Sequence, residues 1–241
     1  MNSAYRIALA GNPNTGKSTL FNALTGLKQH TGNWAGKTVS MAEGSFTHKD
    51  KKYKLIDLPG TYSLFSNSAD EEVARNYILF EQPDITLVVV DATSLERNLN
   101  LALQVMEMAK NVIICVNLID EAERKGIKIN EKVLMKRTGI PVIKLSARNK
   151  VGFNVLLDTI DRVIAGVIEC QPVQTVYSEQ IEEKIAKIES KLLRLDINHL
   201  SARWVALRLL DGDMSLMEEL TNRLGEGGET QHGYQQHILR G

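Results

Sequence analysis

The amino-acid sequence predicts an α/β fold with a mostly parallel six-stranded sheet, followed by a small all-helical domain. Strand and helix patterns alternate between residues 5 and 168, which is typical of a parallel sheet covered by helices. Residues 85–91 (ITLVVVD) and 111–117 (NVIICVN) are nearly continuous runs rich in β-branched residues, as expected for strands buried on both faces. After Cys170 the patterns are helical.

Local patterns predict the individual elements in chain order. An apolar run at 5–10 stops at Gly11, and helical spacing starts near Lys17 and ends at Gly26, which predicts a strand, a glycine-flanked loop and a helix. Two strand patterns joined by the polar tip HKDKK predict an antiparallel hairpin. The predicted strands are 5–10, 38–47, 52–58, 85–91, 111–117 and 141–145, and we interpret 27–37 as a loop. Further helices are predicted at about 70–80, 98–109, 119–138 and 152–168.

A change of pattern after residue 170 predicts a second domain. Residues 178–195 place isoleucine and leucine at helical spacing between charges, and two more amphipathic helices are predicted at 201–210 and 214–224. We therefore expect a first domain at 1–170, a helical domain at 171–224 and a loosely ordered tail at 225–241.

The composition of the 241 residues excludes several classes of protein. Lys and Arg together number 29, as do Asp and Glu, so a generally basic surface that coats nucleic acid is excluded. Two cysteines cannot form a disulfide framework and fit a reducing cytosol. No window holds about 18 consecutive apolar residues. We therefore expect the chain as given to be soluble and intracellular.

Residues 11–18, GNPNTGKS, match the phosphate-binding loop pattern of two glycines, lysine and serine between a strand and a helix. The glycines let successive amides point at phosphate oxygens, and the following helix presents its positive end to the same anion. We expect the Lys17 ammonium to reach the β and γ phosphates and the Ser18 hydroxyl to bind Mg²⁺. The predicted nucleotide contacts of this segment are Gly11, Asn12, Pro13, Asn14, Thr15, Gly16, Lys17, Ser18 and Thr19.

Later segments predict the metal ligand and the base contacts. In DLPG, Asp57 can hold Mg²⁺ and the Gly60 amide can sense the γ-phosphate. In NLID, the Asp120 carboxylate can accept from the two donors on the guanine edge, which adenine does not present, and Asn117 can tie this segment to the phosphate loop. The last predicted strand is followed by Ser146, Ala147 and Arg148, with the Ala147 amide placed for the guanine carbonyl oxygen.

These residues resemble bacterial GTPases with a Ras-like P-loop G domain, and more narrowly the cytosolic G domain of the ferrous iron transport protein B family. The resemblance covers roughly residues 4–222. It rests on GNPNTGKSTLFNALTG at 11–26, GNWAGKTV at 32–39, DLPGTYSL at 57–64, VDATSLERNL at 90–99 and the helical ARWVALRLLDGD at 202–213.

The resemblance implies further site residues. Thr38, in the first mobile loop, is expected to bind Mg²⁺ and contact the γ-phosphate. Asn14 is expected to be a side-chain ligand for K⁺, completed near Gly32 and Trp34, so that the cation offsets charge developing between the β and γ phosphates. The residues expected to act in hydrolysis are Lys17, Thr38, Gly60 and Thr61.

Two positions depart from the pattern of many small GTPases. Thr61 stands where many have a water-positioning glutamine, so we expect slow intrinsic hydrolysis with water positioned partly by backbone. Leu118 stands where many have a lysine that stacks along the base, so we expect weaker binding and faster release of nucleotide.

The sequence and the resemblance together predict a GTP-binding and GTP-hydrolysing switch domain of a bacterial ferrous iron transporter, dependent on Mg²⁺ and stimulated by K⁺. The expected partners are guanine nucleotide (GTP and GDP) and the membrane-embedded region of the same full-length protein, at the cytoplasmic face of the inner membrane. No nucleic-acid partner is expected, and a homo-oligomer stays open. Two other functions also stay open: a soluble GTPase of ribosome assembly or tRNA modification, and a regulatory module that holds nucleotide with little hydrolysis.

Overall fold

The computed structural model describes residues 4–26, 29–33, 39–65, 68–193 and 200–225. It divides into two compact units, Met1–Val173 and Gln174–Gly241. The division falls after residue 173 rather than after residue 170, because the amides of Gln171 and Val173 donate to the carbonyl oxygens of Gly139 and Thr138 in the first unit. The predicted tail lies, from residue 226 on, outside the described residues.

The first unit is built on one sheet with the strand order β2-β3-β4-β1-β5-β6-β7. β1 pairs in parallel with β4 and β5, β5 with β6, and β6 with β7, whereas β3 pairs antiparallel with β2 and β4. The predicted α/β class with a mostly parallel sheet is therefore confirmed. The strands are β1 Tyr5–Gly11, β2 Gln29–Asn33, β3 Ser40–His48, β4 Lys51–Asp57, β5 Ile85–Asp91, β6 Val112–Asn117 and β7 Val142–Lys144.

One strand was not expected. Gln29–Asn33 lies in the segment interpreted as a loop, yet it pairs with β3 at the edge of the sheet. Its sequence, QHTGN, does not alternate apolar and polar residues. The strand is formed by backbone hydrogen bonds, which a hydropathy pattern does not reveal. The predicted hairpin is present, with a two-residue turn at Lys49 and Asp50 that takes both through positive φ.

Helices connect the strands and form the second unit. The long helix predicted at 119–138 is two helices, because the chain turns through Gly126 at φ 72° between them. The helix predicted at 70–80 begins as an α-helix and continues as a π-helical turn, Tyr77–Glu81. The helices are α1 Lys17–Thr25, α2 Ala69–Asn76, α3 Leu95–Met108, α4 Ile119–Arg124, α5 Glu131–Thr138, α6 Phe153–Ile164, α7 Glu179–Leu192, α8 Ala202–Leu210 and α9 Met214–Gly225.

The core of the first unit fixes the strands and therefore their ends. Ile7, Leu9, Leu87, Ile113 and Cys115 are fully buried on the central strands β1, β5 and β6. Aromatic and aliphatic side chains of α1 and α6 complete the same cluster: Leu20, Phe21, Leu156 and Ile160. Burial of this apolar surface stabilises the sheet and holds the loops at its carboxyl edge in place.

In the second unit, an ion pair anchors the chain that enters α7. The Arg203 guanidinium on α8 donates to both carboxylate oxygens of Glu182, at 2.8 and 2.7 Å, and to the Thr175 carbonyl oxygen at 2.9 Å. The Arg203 guanidinium and the Tyr177 amide, which also donates to Glu182, lower the pKa of that carboxyl to about 2.

Among the described residues, no helix combines the length and the apolar character needed to cross a membrane.

Candidate functional site

Four loops meet at the carboxyl ends of parallel strands in the first unit. Gly11 ends β1, Asp57 ends β4 and Asn117 ends β6, while the segment from 145 to 148 follows β7. Because these strands run parallel in one sheet, their carboxyl ends lie on one edge of it, where α/β folds of this kind bind ligands.

The phosphate loop is held by its own hydrogen bonds and by a neighbour. The Thr15 hydroxyl donates to the Asn12 carbonyl oxygen at 2.9 Å. Gly16 has φ 79°, and a Cβ at this position would collide with the side-chain nitrogen of Asn117. Glycine is therefore required at 16 by backbone conformation and by the approach of Asn117. Asn14 also has a positive φ, 65°, and its side chain is exposed.

Lys17 reaches the segment after β4. Its ammonium donates to the Asp57 carboxylate and to the Leu58 carbonyl oxygen, which is 2.6 Å away. Burial raises the pKa of Asp57, whereas the charge of Lys17 and its hydrogen bond lower it. The Asp57 carboxylate is thus partly buried, and the Lys17 ammonium compensates its charge.

The DLPG segment docks on the phosphate loop through backbone contacts. The Leu58 amide donates to the Leu9 carbonyl oxygen at 3.0 Å, and the Thr61 amide donates to the Gly11 carbonyl oxygen at 3.3 Å. A Cβ at Gly60 would lie 3.5 Å from Pro13, so this glycine lies directly against the loop. Thr61 itself is only 5% exposed.

Asn117 joins the loop after β7 to the phosphate loop. Its side-chain nitrogen donates to the Thr15 carbonyl oxygen at 2.9 Å, and its side-chain oxygen accepts from the Ala147 amide at 2.9 Å. Asn117 is 1% exposed, so both bonds are shielded from water. The Ala147 amide, which is predicted to meet a guanine carbonyl oxygen, is the donor of this second bond.

Asp120 and Ser146 carry buried polar atoms that have no hydrogen-bond partner among the described residues. The Oδ2 atom of Asp120 accepts from the Asn149 side chain at 3.1 Å, whereas its Oδ1 atom is buried without a hydrogen bond among the described residues. The Ser146 hydroxyl and the Asn12 side-chain oxygen are in the same situation. A cavity of about 710 Å³ opens at this point, lined by Asp120, Glu123, Arg124, Arg148 and Asn149.

Several predicted residues lie apart from these contacts or outside the described residues. Trp34 and Thr38 are outside them, and Gly32 is described only as a backbone position of β2 paired with Met41. Ser18 and Thr19 lie in the first turn of α1 with exposed side chains. Leu118 has φ 62° and ψ 31°, an unusual conformation for leucine. Sequence reasoning missed Asn149, because its contact with Asp120 depends on a loop conformation that no motif encodes.

The residues present fit a nucleotide and a divalent cation. Within the part of the chain that the structure describes, the Asp120 Oδ1 atom is a buried acceptor with no donor, and a guanine edge carries donors that suit it. The Asp57 carboxylate already pairs with a cationic group, and serine and aspartate oxygens are ligands that Mg²⁺ prefers.

Comparisons with known proteins agree on one family. The family model described as "Ferrous iron transport protein B" matches residues 5–160, and "FeoB cytosolic helical domain" matches residues 177–238. The Fe(2+) transporter FeoB of Escherichia coli (strain K12) is 42% identical over 212 residues, which are 86% of this chain and 27% of that protein. The chain thus spans about a quarter of the length of the curated relatives it matches.

Solved structures extend the similarity to the fold. The cytosolic domain of the T. maritima FeoB iron transporter in GDP form II has a TM-score of 0.82 and 37% identity, covering 98% of this chain and 93% of that one. The cytosolic domain of L. pneumophila FeoB has a TM-score of 0.79 and 33% identity, covering 87% of this chain and 89% of that one. Both units of the present chain therefore have counterparts in solved structures.

Proposed function

The chain belongs to the ferrous iron transport protein B family, and we propose that it is a GTP-binding and GTP-hydrolysing switch on the cytoplasmic side of a bacterial ferrous iron transporter. One observation carries this proposal. The buried Asn117 side chain links the phosphate loop at Thr15 to the Ala147 loop, so that the phosphate motif and the base motif form one continuous site. A nucleotide is the ligand whose two ends match these two motifs.

Guanine is the base that this site favours. One oxygen of the Asp120 carboxylate is buried and has no donor within the described ranges of the chain, and guanine carries two neighbouring donors on its edge. Adenine presents an acceptor at the equivalent ring nitrogen, so it would leave the carboxylate unpaired in a partly buried place. The preference for GTP over ATP follows from this difference.

Hydrolysis of GTP requires positive charge around the β and γ phosphates. Lys17 carries such a charge at the start of α1, and its hydrogen bonds to Asp57 and Leu58 place the ammonium between the phosphate loop and the DLPG segment. Ser18, Asp57 and Thr38 are the residues that would hold Mg²⁺, which neutralises phosphate charge when bound. The Gly60 amide is the proposed contact to the γ-phosphate.

Stimulation by K⁺ is proposed through Asn14. Its exposed side chain stands on a residue with φ 65°, in the middle of the phosphate loop, where an amide oxygen can be offered to a cation beside the phosphates. Gly32 and Trp34 are the proposed sources of further oxygen ligands. The cation would offset developing charge in the same way as an arginine finger.

Transport itself is proposed from the longer curated relatives. Since the chain spans about a quarter of its curated relatives, the membrane-embedded partner and the passage of Fe²⁺ are proposed from those relatives, which are called Fe(2+) transporters. In this proposal the nucleotide state of the first unit regulates the membrane region.

GTP turnover in matched KCl and NaCl buffers, with ATP as control substrate, tests the proposal. We expect GTP cleavage that is faster in KCl and abolished in the Lys17→Ala variant, with ATP untouched. The Asn14→Ala variant should hydrolyse GTP at equal rates in both salts, whereas Asn22→Ala on α1 should keep the faster rate in KCl.

Equal rates in both salts for the parent protein would contradict the proposed stimulation by K⁺. Absence of GDP in a single-turnover reaction would favour a module that only holds nucleotide, and stimulation by RNA would favour the soluble GTPase.

A further inference from the structure

We propose that Asn149 determines nucleotide specificity: it holds the Asp120 carboxylate in one orientation and thereby sets the preference for guanine over bases that lack the exocyclic amine. This inference rests on the proposed guanine-nucleotide function and names a positioning residue outside the nucleotide motifs. Asn149 acts on the base through Asp120.

The two oxygens of the Asp120 carboxylate have different surroundings. Oδ2 accepts from the Asn149 side-chain nitrogen at 3.1 Å, whereas Oδ1 is buried without a partner among the described residues. A carboxylate rotates readily about the bond to its Cβ atom, and a donor fixed on one oxygen restricts that rotation. The contact with Asn149 therefore determines where the free acceptor points.

Asn149 lies on a short loop with a fixed backbone. The amides of Ser146 and Val151 donate to each other's carbonyl oxygens, at 3.2 and 3.1 Å, and close the loop at its base. Lys150 adopts a positive φ of 54° within it. At Gly152, which follows Val151, a Cβ would collide with the Lys144 carbonyl oxygen, so the loop lies directly against the end of β7.

Asp120 is fixed to the same part of the fold from the other side. The Ile119 amide, at the start of α4, donates to the Leu145 carbonyl oxygen at 3.1 Å. The Arg124 guanidinium donates to the Asp120 carbonyl oxygen at 3.2 Å, which leaves the carboxylate to Asn149. Since both partners of the Asp120–Asn149 contact are attached next to the end of β7, their separation is defined by rigid backbone.

The chemistry of the contact suits a base reader. Asn149 is uncharged, so it orients the Asp120 carboxylate without neutralising the charge that attracts the guanine donors. Guanine offers a ring N–H and an exocyclic amine side by side, whereas hypoxanthine offers the ring N–H alone. An oriented carboxylate meets both donors of guanine, and a freely rotating one loses much of the contribution of the second.

The test compares GDP and inosine diphosphate, measured as fluorescent derivatives with the full chain. We expect the dissociation constant of inosine diphosphate divided by that of GDP to fall by about fivefold or more in Asn149→Ala and in Asn149→Asp, because a hydrogen bond to a charged group is lost. Lys150→Ala, an exposed neighbour on the same loop, should keep the parent ratio. The value of kcat at saturating GTP should stay unchanged in Lys150→Ala.

The inference on Asn149 would be overturned if the parent protein prefers GDP over ADP and both Asn149 variants keep the parent ratio of the dissociation constants for inosine diphosphate and GDP. The proposed function would then be unaffected. A parent protein that does not prefer GDP over ADP would overturn both.

A double-mutant cycle separates positioning from direct contact. In the Asp120→Ala background, Asn149→Ala should have no further effect on GDP affinity. If Asn149→Ala lowers GDP affinity equally in the parent and in the Asp120→Ala background, Asn149 contacts the nucleotide itself and the positioning role is overturned.

Discussion

The Asn117 side-chain nitrogen donates to the Thr15 carbonyl oxygen at 2.9 Å and joins two loops that are 102 residues apart in the chain. Because its oxygen also accepts from the Ala147 amide, truncation of Asn117 leaves two buried backbone groups without a partner. Each such group costs about 1–3 kcal/mol. We expect Asn117→Ala to lower the free energy of unfolding by about 3 kcal/mol in the absence of nucleotide, measured by urea denaturation.

A matched asparagine provides the control for this measurement. The Asn111 side chain donates to the Asp84 carbonyl oxygen at 3.0 Å in an exposed position. Since water can replace that bond, Asn111→Ala should cost less than about 1 kcal/mol. Equal losses in the two variants would contradict the structural role given to Asn117.

The parts of the fold that burial determines could be predicted from the sequence, and the parts that backbone pairing determines could not. Strands β1, β5 and β6 are buried on both faces, so their apolar runs identified them. The edge strand β2 has the polar sequence QHTGN, and its pairing with β3 leaves no such trace.

The candidate site divides in the same way. Spacing and residue type indicated Lys17, Asp57, Asn117 and Asp120, because these residues stand in short motifs of fixed spacing. The contact between Asn149 and Asp120 arises from the local path of one loop, and the bond from the Ala147 amide to Asn117 from the approach of two others. Such contacts depend on tertiary structure, so a motif does not specify them.

Leu118 provides a test of nucleotide release. Its side chain lies near Gly16, since a methyl carbon of Leu118 would be 3.9 Å from a Cβ at that glycine. A lysine here could extend over the face of the base, and such a contact contributes about 1 kcal/mol. We expect Leu118→Lys to slow GDP release about fivefold in stopped-flow fluorescence. Unchanged release in this variant, or a GDP dissociation constant of the parent in the low nanomolar range, would contradict the role given to Leu118.

Thr61 tests whether backbone groups suffice to position water for hydrolysis. Its side chain is 5% exposed and its amide donates to Gly11. We expect Thr61→Ala to lower the single-turnover GTP hydrolysis rate by less than about 100-fold, whereas Lys17→Ala removes activity because the phosphate charge is no longer compensated. A larger drop in Thr61→Ala would assign the threonine side chain a direct part in the reaction.

Two glycines separate the cost of a collision from the cost of backbone conformation. Gly152 has φ 82° and lies against the Lys144 carbonyl oxygen, whereas Gly166 has φ 69° with open space around it. We expect Gly166→Ala to cost about 1 kcal/mol from conformation alone and Gly152→Ala more than about 3 kcal/mol. Urea denaturation of both variants measures the difference. Equal costs would mean that the loop before α6 yields easily, and that Asn149 is not held by a rigid backbone.

The acid sensitivity of the second unit tests the ion pair between Glu182 and Arg203. The pKa of Glu182 lies near 2 in the folded chain, against 4.5 for an ordinary glutamate, because Arg203 and the Tyr177 amide stabilise its charged form. A lowered folded pKa contributes stability that is fully present above the unfolded value and is lost as the pH falls from about 4.5 towards 2. We therefore expect Glu182→Gln to be less stable than the parent at pH 6 and to lose less stability on acidification.

Trp204 allows this effect to be followed in the second unit alone. It is 3% exposed on α8, and the other tryptophan of the chain is Trp34, so thermal unfolding in a Trp34→Phe background reports on the helices through Trp204. Glu183→Gln removes the same charge from an exposed position of α7 and should follow the parent between pH 6 and pH 2. If Glu182→Gln and Glu183→Gln respond alike, the ion pair with Arg203 does not stabilise the second unit.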